Sequence, residues 1–444
     1  MTGLVEPDTL ALLVAAVGLA SVAFVCFRQW PRAAGVSWLL VVAFVPYWLA
    51  VKFVIISLSP ASAAGLLVLA ALLPVSFRRV AVADWMVAFL ILIGTVAYAL
   101  GYGTLTTAVL VVVEWGVGYL LGRVVPRALG VRWVYGAIAV VFTLVAMGAL
   151  AEFATGVNPF VLLAFGDSYA VWGPLQERGG QLRVEGAFGH SIALGAVLAL
   201  SVPMVLASRF RGWVRVVMVL VISLAAVCTL SRIAIACVLV GLVLTLLTQG
   251  RLISVKVRAT LLTLLVVGAV LVTPVVLRVF AQAGSEATDS SSYRLDIGPL
   301  LSQVSVFGIS GSATINANGS LLFSGFQSID SAVLLLGLTY GAIALVVVIG
   351  LYLTGAWAVL LGRATPATVA VVALLPAYLN VALITQYSIF LWFCIGLAVT
   401  SQQERGNGDE SPRQEAVPRT LNRNAQPRAQ ARGTGGLVDI GRRG

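Results

Sequence analysis

Apolar residues follow one another along most of this chain, without the two-residue alternation of a half-buried strand, and polar residues interrupt them in short clusters. A helix needs about 20 apolar residues to cross a bilayer core, with about 17 to 25 as the working range. Runs of that kind fall near 9–27, 36–58, 61–77, 80–100, 105–121, 133–155 and 187–207. The second half adds 214–230, 233–249, 259–279, 331–350, 366–386 and 387–400. The pattern predicts an all-α fold, a polytopic transmembrane helical bundle of about 12–13 helices. A barrel would need alternating segments, and these runs do not alternate.

Composition agrees. Of 444 residues, 60% are hydrophobic and 10% charged, against about 25% charged in an ordinary soluble domain. The start, MTGLVEPDTL, carries Glu6 and Asp8 where a secretory signal has basic residues, so the first apolar run is expected to stay as an anchor. Cys26, Cys228, Cys237 and Cys394 all fall within apolar runs and form no CxxC pair, which makes them helix-packing residues.

The net charge of +11 reads as a matter of sidedness, not as a sign of nucleic acid. Six connections hold Arg28/Arg32, Arg78/Arg79, Arg123/Arg127/Arg132, Arg209/Arg211/Arg215, Arg251/Lys256/Arg258 and Arg363. Together they carry fourteen basic residues and no acid, and with thirteen helices all six lie on one side. The positive-inside rule makes that side cytoplasmic, with the N-terminus outside the plasma membrane and the C-terminus inside. Residues 1–400 then form the transmembrane domain, with long outer loops at 156–186 and 280–330. Residues 401–444 are polar, free of aromatics and rich in arginine, which predicts a disordered basic cytoplasmic tail in reach of anionic lipid.

With the connections and the tail removed, six basic residues remain: Lys52, Arg178, Arg183, Arg232, Arg278 and Arg294. Lys52 is expected near an outer helix end, where it can snorkel to water. The apolar stretch from 214 to 249 is too long for one crossing, so Ser231-Arg232 marks an outward hairpin apex. Arg183 precedes His190, the single histidine, by seven residues, which places both on one face if a helix begins early enough.

Arginines gathered at headgroup depth suit a phosphate or diphosphate, because guanidinium meets phosphate oxygens in bidentate geometry. Headgroup anchoring is the plain alternative, and a transporter for an anionic solute is another. Paired broken helices and an internal repeat, the usual marks of a transporter, are absent from the sequence pattern. No nucleotide-binding loop, His/Cys metal cluster or GxSxG elbow is present, so neither cofactor nor metal is expected.

Three stretches carry a resemblance: RVEGAFGHSIALGAVLAL (183–200), TLSRIAIACVLVGLVL (229–244), and SSYRLDIGPLLSQVSVFGISGSA (291–313) continued by FQSIDSAVLLLGLTYGAIALVVVIG (326–350). Their order and outward placement resemble the O-antigen ligase and polymerase family of polysaccharide assembly proteins over roughly residues 150–400. The resemblance implies a GT-C-like membrane glycosyltransferase that polymerises or ligates polyprenyl-diphosphate-linked glycan at the outer leaflet, with lipid carrier and acceptor glycan as partners. Ligases of the family commonly carry a histidine in the long outer loop. Here that loop has none, and the helix opening reads Gln327-Ser328-Ile329-Asp330.

On this reading an acceptor hydroxyl attacks the anomeric carbon while Arg183, Arg232 and Arg294 stabilise charge on the departing diphosphate. Asp330 is the first candidate for general base and His190 the second; a helix-opening polar residue is the plain alternative for Asp330. Glu185 and Asp296 are expected to orient arginines, and Gly308 and Gly311 to shape the loop turn.

Overall fold

Short polar residues and prolines set the helix starts. Ser59, Ser231, Ser331 and Thr365 each accept a hydrogen bond from the backbone N–H three residues on, and Pro31, Pro60 and Pro366 occupy first-turn positions where no N–H is missed. In this computed structural model the protein is mostly helical. The structure describes residues 7–53, 56–75, 80–166, 168–250, 252–282, 297–315, 321–326 and 329–409. Arg294, Asp296, Gln327, Ser328 and the tail beyond 409 lie outside them.

The first half holds α1 (Pro7–Gln29), α2 (Pro31–Phe44), α3 (Pro60–Leu72), α4 (Val82–Ala99), α5 (Leu105–Val109), a π-helical segment (Leu110–Gly116), α6 (Val117–Leu129), α7 (Val131–Thr155) and the single turn α8 (Tyr169–Trp172). The second half holds α9 (Ser191–Ala207), α10 (Gly212–Cys228), α11 (Arg232–Thr248), α12 (Val255–Gln282), α13 (Ala332–Tyr340), α14 (Ala342–Leu360), α15 (Pro366–Ala373), α16 (Leu375–Asn380) and α17 (Thr385–Asp409). Among the described residues, four spans are long and apolar enough to cross a membrane: Val82–Ala99, Leu105–Leu129, Val131–Thr155 and Ala342–Leu360. Seven shorter apolar helices accompany them. This is a membrane protein.

Two-stranded hairpins occupy connections between helices: β1 (Val51–Phe53) with β2 (Ile56–Leu58), β3 (Glu177–Arg178) with β4 (Gln181–Leu182), and β5 (Ala313–Ile315) with β6 (Leu321–Phe323). Contacts divide the chain into one unit over 1–404 and another over 405–444. Of the second, residues 405–409 are described and helical.

The core of the first unit centres on α9. Every residue from Ala193 to Leu206 is buried, and a helix apolar on all faces belongs at the middle of a bundle. It packs against α7, α10, α11 and α15.

Four helix boundaries differ from the hydrophobic pattern. The run expected at 36–58 stops at Phe44, because Pro46 cannot continue it, and the β1–β2 hairpin follows. The run at 331–350 breaks at Gly341, whose φ of +87° and close contact with the backbone of Phe307 leave no room for a side chain. The runs at 366–386 and 387–400 divide instead at Leu374 and at 381–384. The helix expected to end at 121 reaches Leu129, so Arg123 and Arg127 are helical residues, not loop charges.

Arg123 is only 1% exposed. Its guanidinium grips Asp84 at the start of α4 through Nη2–Oδ2 and Nε–Oδ1, both 2.8 Å, and donates to Thr400 and Gln403 of α17 at 3.1 Å. This network marks one end of the bundle. Because a single residue, Gly130, separates α6 from α7, the C-terminus of α7 at Thr155 lies at the other end, where the long connection to α9 begins.

Candidate functional site

The connection from Gly156 to His190 folds back onto the bundle, and Glu152 holds it there. This carboxylate, in the last turn of α7, accepts hydrogen bonds from the backbone N–H of Glu185 (3.0 Å) and Gly186 (2.9 Å) and from Asn158 Nδ2 (3.0 Å). Trp48 Nε1 donates to Leu163 O at 2.8 Å, tying the same connection to the segment after α2.

Two arginines of this connection reach the turn between α10 and α11. Arg183 is buried, donating from Nε to Thr229 O and from Nη1 to Gln176 Oε1, both at 3.1 Å. Arg178 donates to Leu230 O at 2.9 Å. Leu230 takes a φ of +50°, and Ser231 then caps α11, whose first residue is the exposed Arg232. A helical hairpin apex at Arg232 is therefore present, and the structure brings Arg178 and Arg183 to it. A cavity of about 290 Å³ opens beside Arg183, lined also by Glu152, Gln181 and Leu182. The larger cavity, about 490 Å³, has an almost wholly apolar wall between α13 to α17 and holds no charge. The smaller one is where charge chemistry is possible.

Arg183 and His190 do not share a helical face, because α9 begins only at Ser191 and a 3₁₀ turn (Gly186–Phe188) intervenes. His190 is instead the α9 cap. Its Nδ1 accepts from Ile192 N at 3.1 Å, which leaves the proton of the neutral ring on Nε2. In this arrangement the ring is a donor. Burial first, and the Arg183 charge second, hold its pKa down to about 4.

Glu185 is 1% exposed, and burial pushes its carboxyl up to about 7. The Gln176 N–H at Oε1 and the Arg183 charge oppose that rise, and Glu152 adds to it. Glu185 and His190 therefore move stability in opposite directions over one pH range. Glu185 binds its proton more tightly folded than unfolded, so its contribution is full below 4.5 and is lost as pH rises to about 7. His190 binds its proton less tightly folded, so its contribution is full above 6.5 and is lost as pH falls to about 4. Each tenfold change in proton affinity is worth about 1.4 kcal/mol. Glu185→Gln should leave a melting temperature that rises from about pH 4 to 6.5, and His190→Asn one that falls from about pH 4.5 to 7. Parallel melting curves for the two variants in detergent would contradict these assignments.

Asp330 is exposed and stands just before Ser331, which supplies the α13 cap in its place. From there Ala332 N donates to Val381 O, in the non-helical stretch leading to Gln386. Gln386 Nε2 in turn donates to Val45 O and Ala187 O, at 2.8 and 3.0 Å. That route joins the Asp330 segment to the His190 segment through one backbone hydrogen bond and the Gln386 side chain. Gly308 takes a φ of +73°, and a Cβ would sit 2.5 Å from Tyr102 O. Gly311 is exposed, and a Cβ there would meet nothing within 4 Å.

Sequence reasoning missed Glu152 and Gln386. For Glu152 a signal existed, an acid at the end of an apolar run, because an ionisable residue at membrane depth needs a partner. No protein-family model, curated protein or solved structure matches this chain.

Proposed function

We propose that this chain is a plasma-membrane glycosyltransferase of the O-antigen ligase and polymerase type, with its N-terminus and the 156–190 connection outside and its C-terminus inside. It elongates or transfers a polyprenyl-diphosphate-linked glycan at the outer leaflet. One observation carries the reading: Arg178 and Arg183 converge on the turn that presents Arg232, at the end of an apolar bundle. Guanidinium groups there suit a diphosphate leaving group. The apolar cavity between α13 and α17 suits an isoprenoid chain. Asp330 serves as base in this scheme, and His190 contributes a hydrogen-bond donor to a substrate oxygen. Glu185 and Glu152 position Arg183.

The test is glycan analysis of cells carrying Arg183→Ala or Arg232→Ala. Long polymer should fall at least tenfold while single lipid-linked units accumulate on the outer leaflet. Unchanged polymer length with both variants would end the assignment of these arginines.

The breaks at Gly341 and at 381–384 favour a second reading, a transporter, because interrupted helices line many transport sites. Units trapped on the cytoplasmic leaflet would select it.

A further inference from the structure

Glu114 sits ten residues into the Leu105–Leu129 span, inside the π-helical segment Leu110–Gly116. π turns inside helices are uncommon and gather at functional sites. The residues from Glu114 to Tyr119 are all buried, and no ion pair reaches the carboxyl among the described residues. The Tyr47 hydroxyl stands 3.5 Å from Oε1, a long hydrogen bond. Ser388 also faces the carboxyl, and its Oγ is buried. Trp115 and Trp392 stack at 5.0 Å, and both indole N–H groups are likewise buried and unsatisfied. Three residues before Ser388, Thr385 holds a φ of +48°, a strained choice for a β-branched residue.

A carboxylate in such a place, without a cation, is costly enough that the group takes a proton instead. We infer that Glu114 is an intramembrane proton-binding site, exchanging with the loop end of the bundle past Tyr47. Tyr47 marks the direction of that end: its ring meets Trp172 edge-on at 6.4 Å, and Trp172 meets His190 at 6.4 Å. Among the described residues, the groups facing the site are few. α4 presents Val87, Leu90 and Ile93, α17 presents Ser388 and Trp392, and the titratable neighbours are Tyr47 and Tyr340 of α13. Among the described residues, Glu114, Tyr47 and Ser388 bring together fewer oxygens than the six or more that calcium or magnesium takes. This site is independent of glycosyl transfer.

Infrared difference spectra of the full chain in lipid vesicles test it. At about pH 7 the wild type should show a neutral-carboxyl C=O band that Glu114→Gln lacks, and the band should vanish at higher pH. Tyr47→Phe, which removes a donor to the carboxylate, should raise the proton affinity about tenfold. On the unmutated chain, a carbodiimide adduct at Glu114 that forms faster at about pH 6 than at about pH 9 gives the same answer without a variant. Absence of both band and adduct overturns the site. A band unchanged to the alkaline limit of folding makes Glu114 a static structural acid and also overturns it. Loss of the band on adding sodium chloride but not potassium chloride assigns the site to sodium and overturns the proton reading.

Discussion

Replacing Arg123 with alanine is expected to destabilise the bundle by about 3–5 kcal/mol, the range for breaking a buried ion pair from one side. Asp84 is 21% exposed, which places the figure nearer the lower bound. The loss has several parts. The Asp84 carboxylate would keep only Tyr119 OH, at 2.5 Å, and Ala81 N, at 2.6 Å, while Thr400 and Gln403 would each lose a donor. Three elements far apart in sequence, α4, α6 and α17, would separate together. Denaturant or thermal unfolding of the purified protein measures the effect. The double variant Asp84→Asn with Arg123→Met should recover part of it, because no charge is left buried alone. A double variant as weak as the sum of the singles would deny the coupling.

A bulky residue at Gly122 should cost at least as much. In α6, Gly118 and Gly122 lie one turn apart and let α17 approach to backbone contact: a Cβ on Gly118 would fall 2.6 Å from Ile389 O, and one on Gly122 would overlap Phe393 O. Gly396 faces them from α17, where a Cβ would overlap Tyr119 O. Small residues four apart are how helices come close in a membrane. Because the obstructing atoms are backbone, no side chain can swing aside. Gly122→Leu is expected to exceed the roughly 1–3 kcal/mol of ordinary overpacking. It should also be non-additive with Arg123 variants, since Thr400 bonds both Arg123 and the Gly122 carbonyl. Additive melting shifts in the double variant would show that the two contacts act separately.

Part of the candidate site is legible in the amino-acid sequence. Ser231-Arg232 has to be an apex, since an apolar stretch from 214 to 249 cannot cross once, and the cap and turn lie there. Arg183 and Arg178 stand out in the sequence as basic residues that fall outside the six arginine-bearing connections and the tail. Their meeting with the 229–231 turn is not legible, because nothing local records a contact between residues 46 or 52 positions apart. His190 is legible as unusual but not as a cap, a role fixed by where α9 starts.

Apolarity along the chain is enough to make this a helical membrane protein and to locate most of its helices, because transfer into hydrocarbon depends on the apolarity of each segment alone. Local chemistry also marks where helices begin, since Ser, Thr and Pro act on the N–H groups of their own first turn. Packing in three dimensions settles the rest: Arg123 is a buried tie and not a loop charge, the runs at 36–58 and 331–350 break, and Glu114 faces Tyr47 and Ser388 inside the bundle. Most of these depend on a partner brought close by packing: Thr400 for Arg123, the Phe307 backbone for Gly341, Tyr47 for Glu114. Hydrophobicity carries no record of which polar groups will meet, and those meetings set the charge and geometry on which any chemistry here depends.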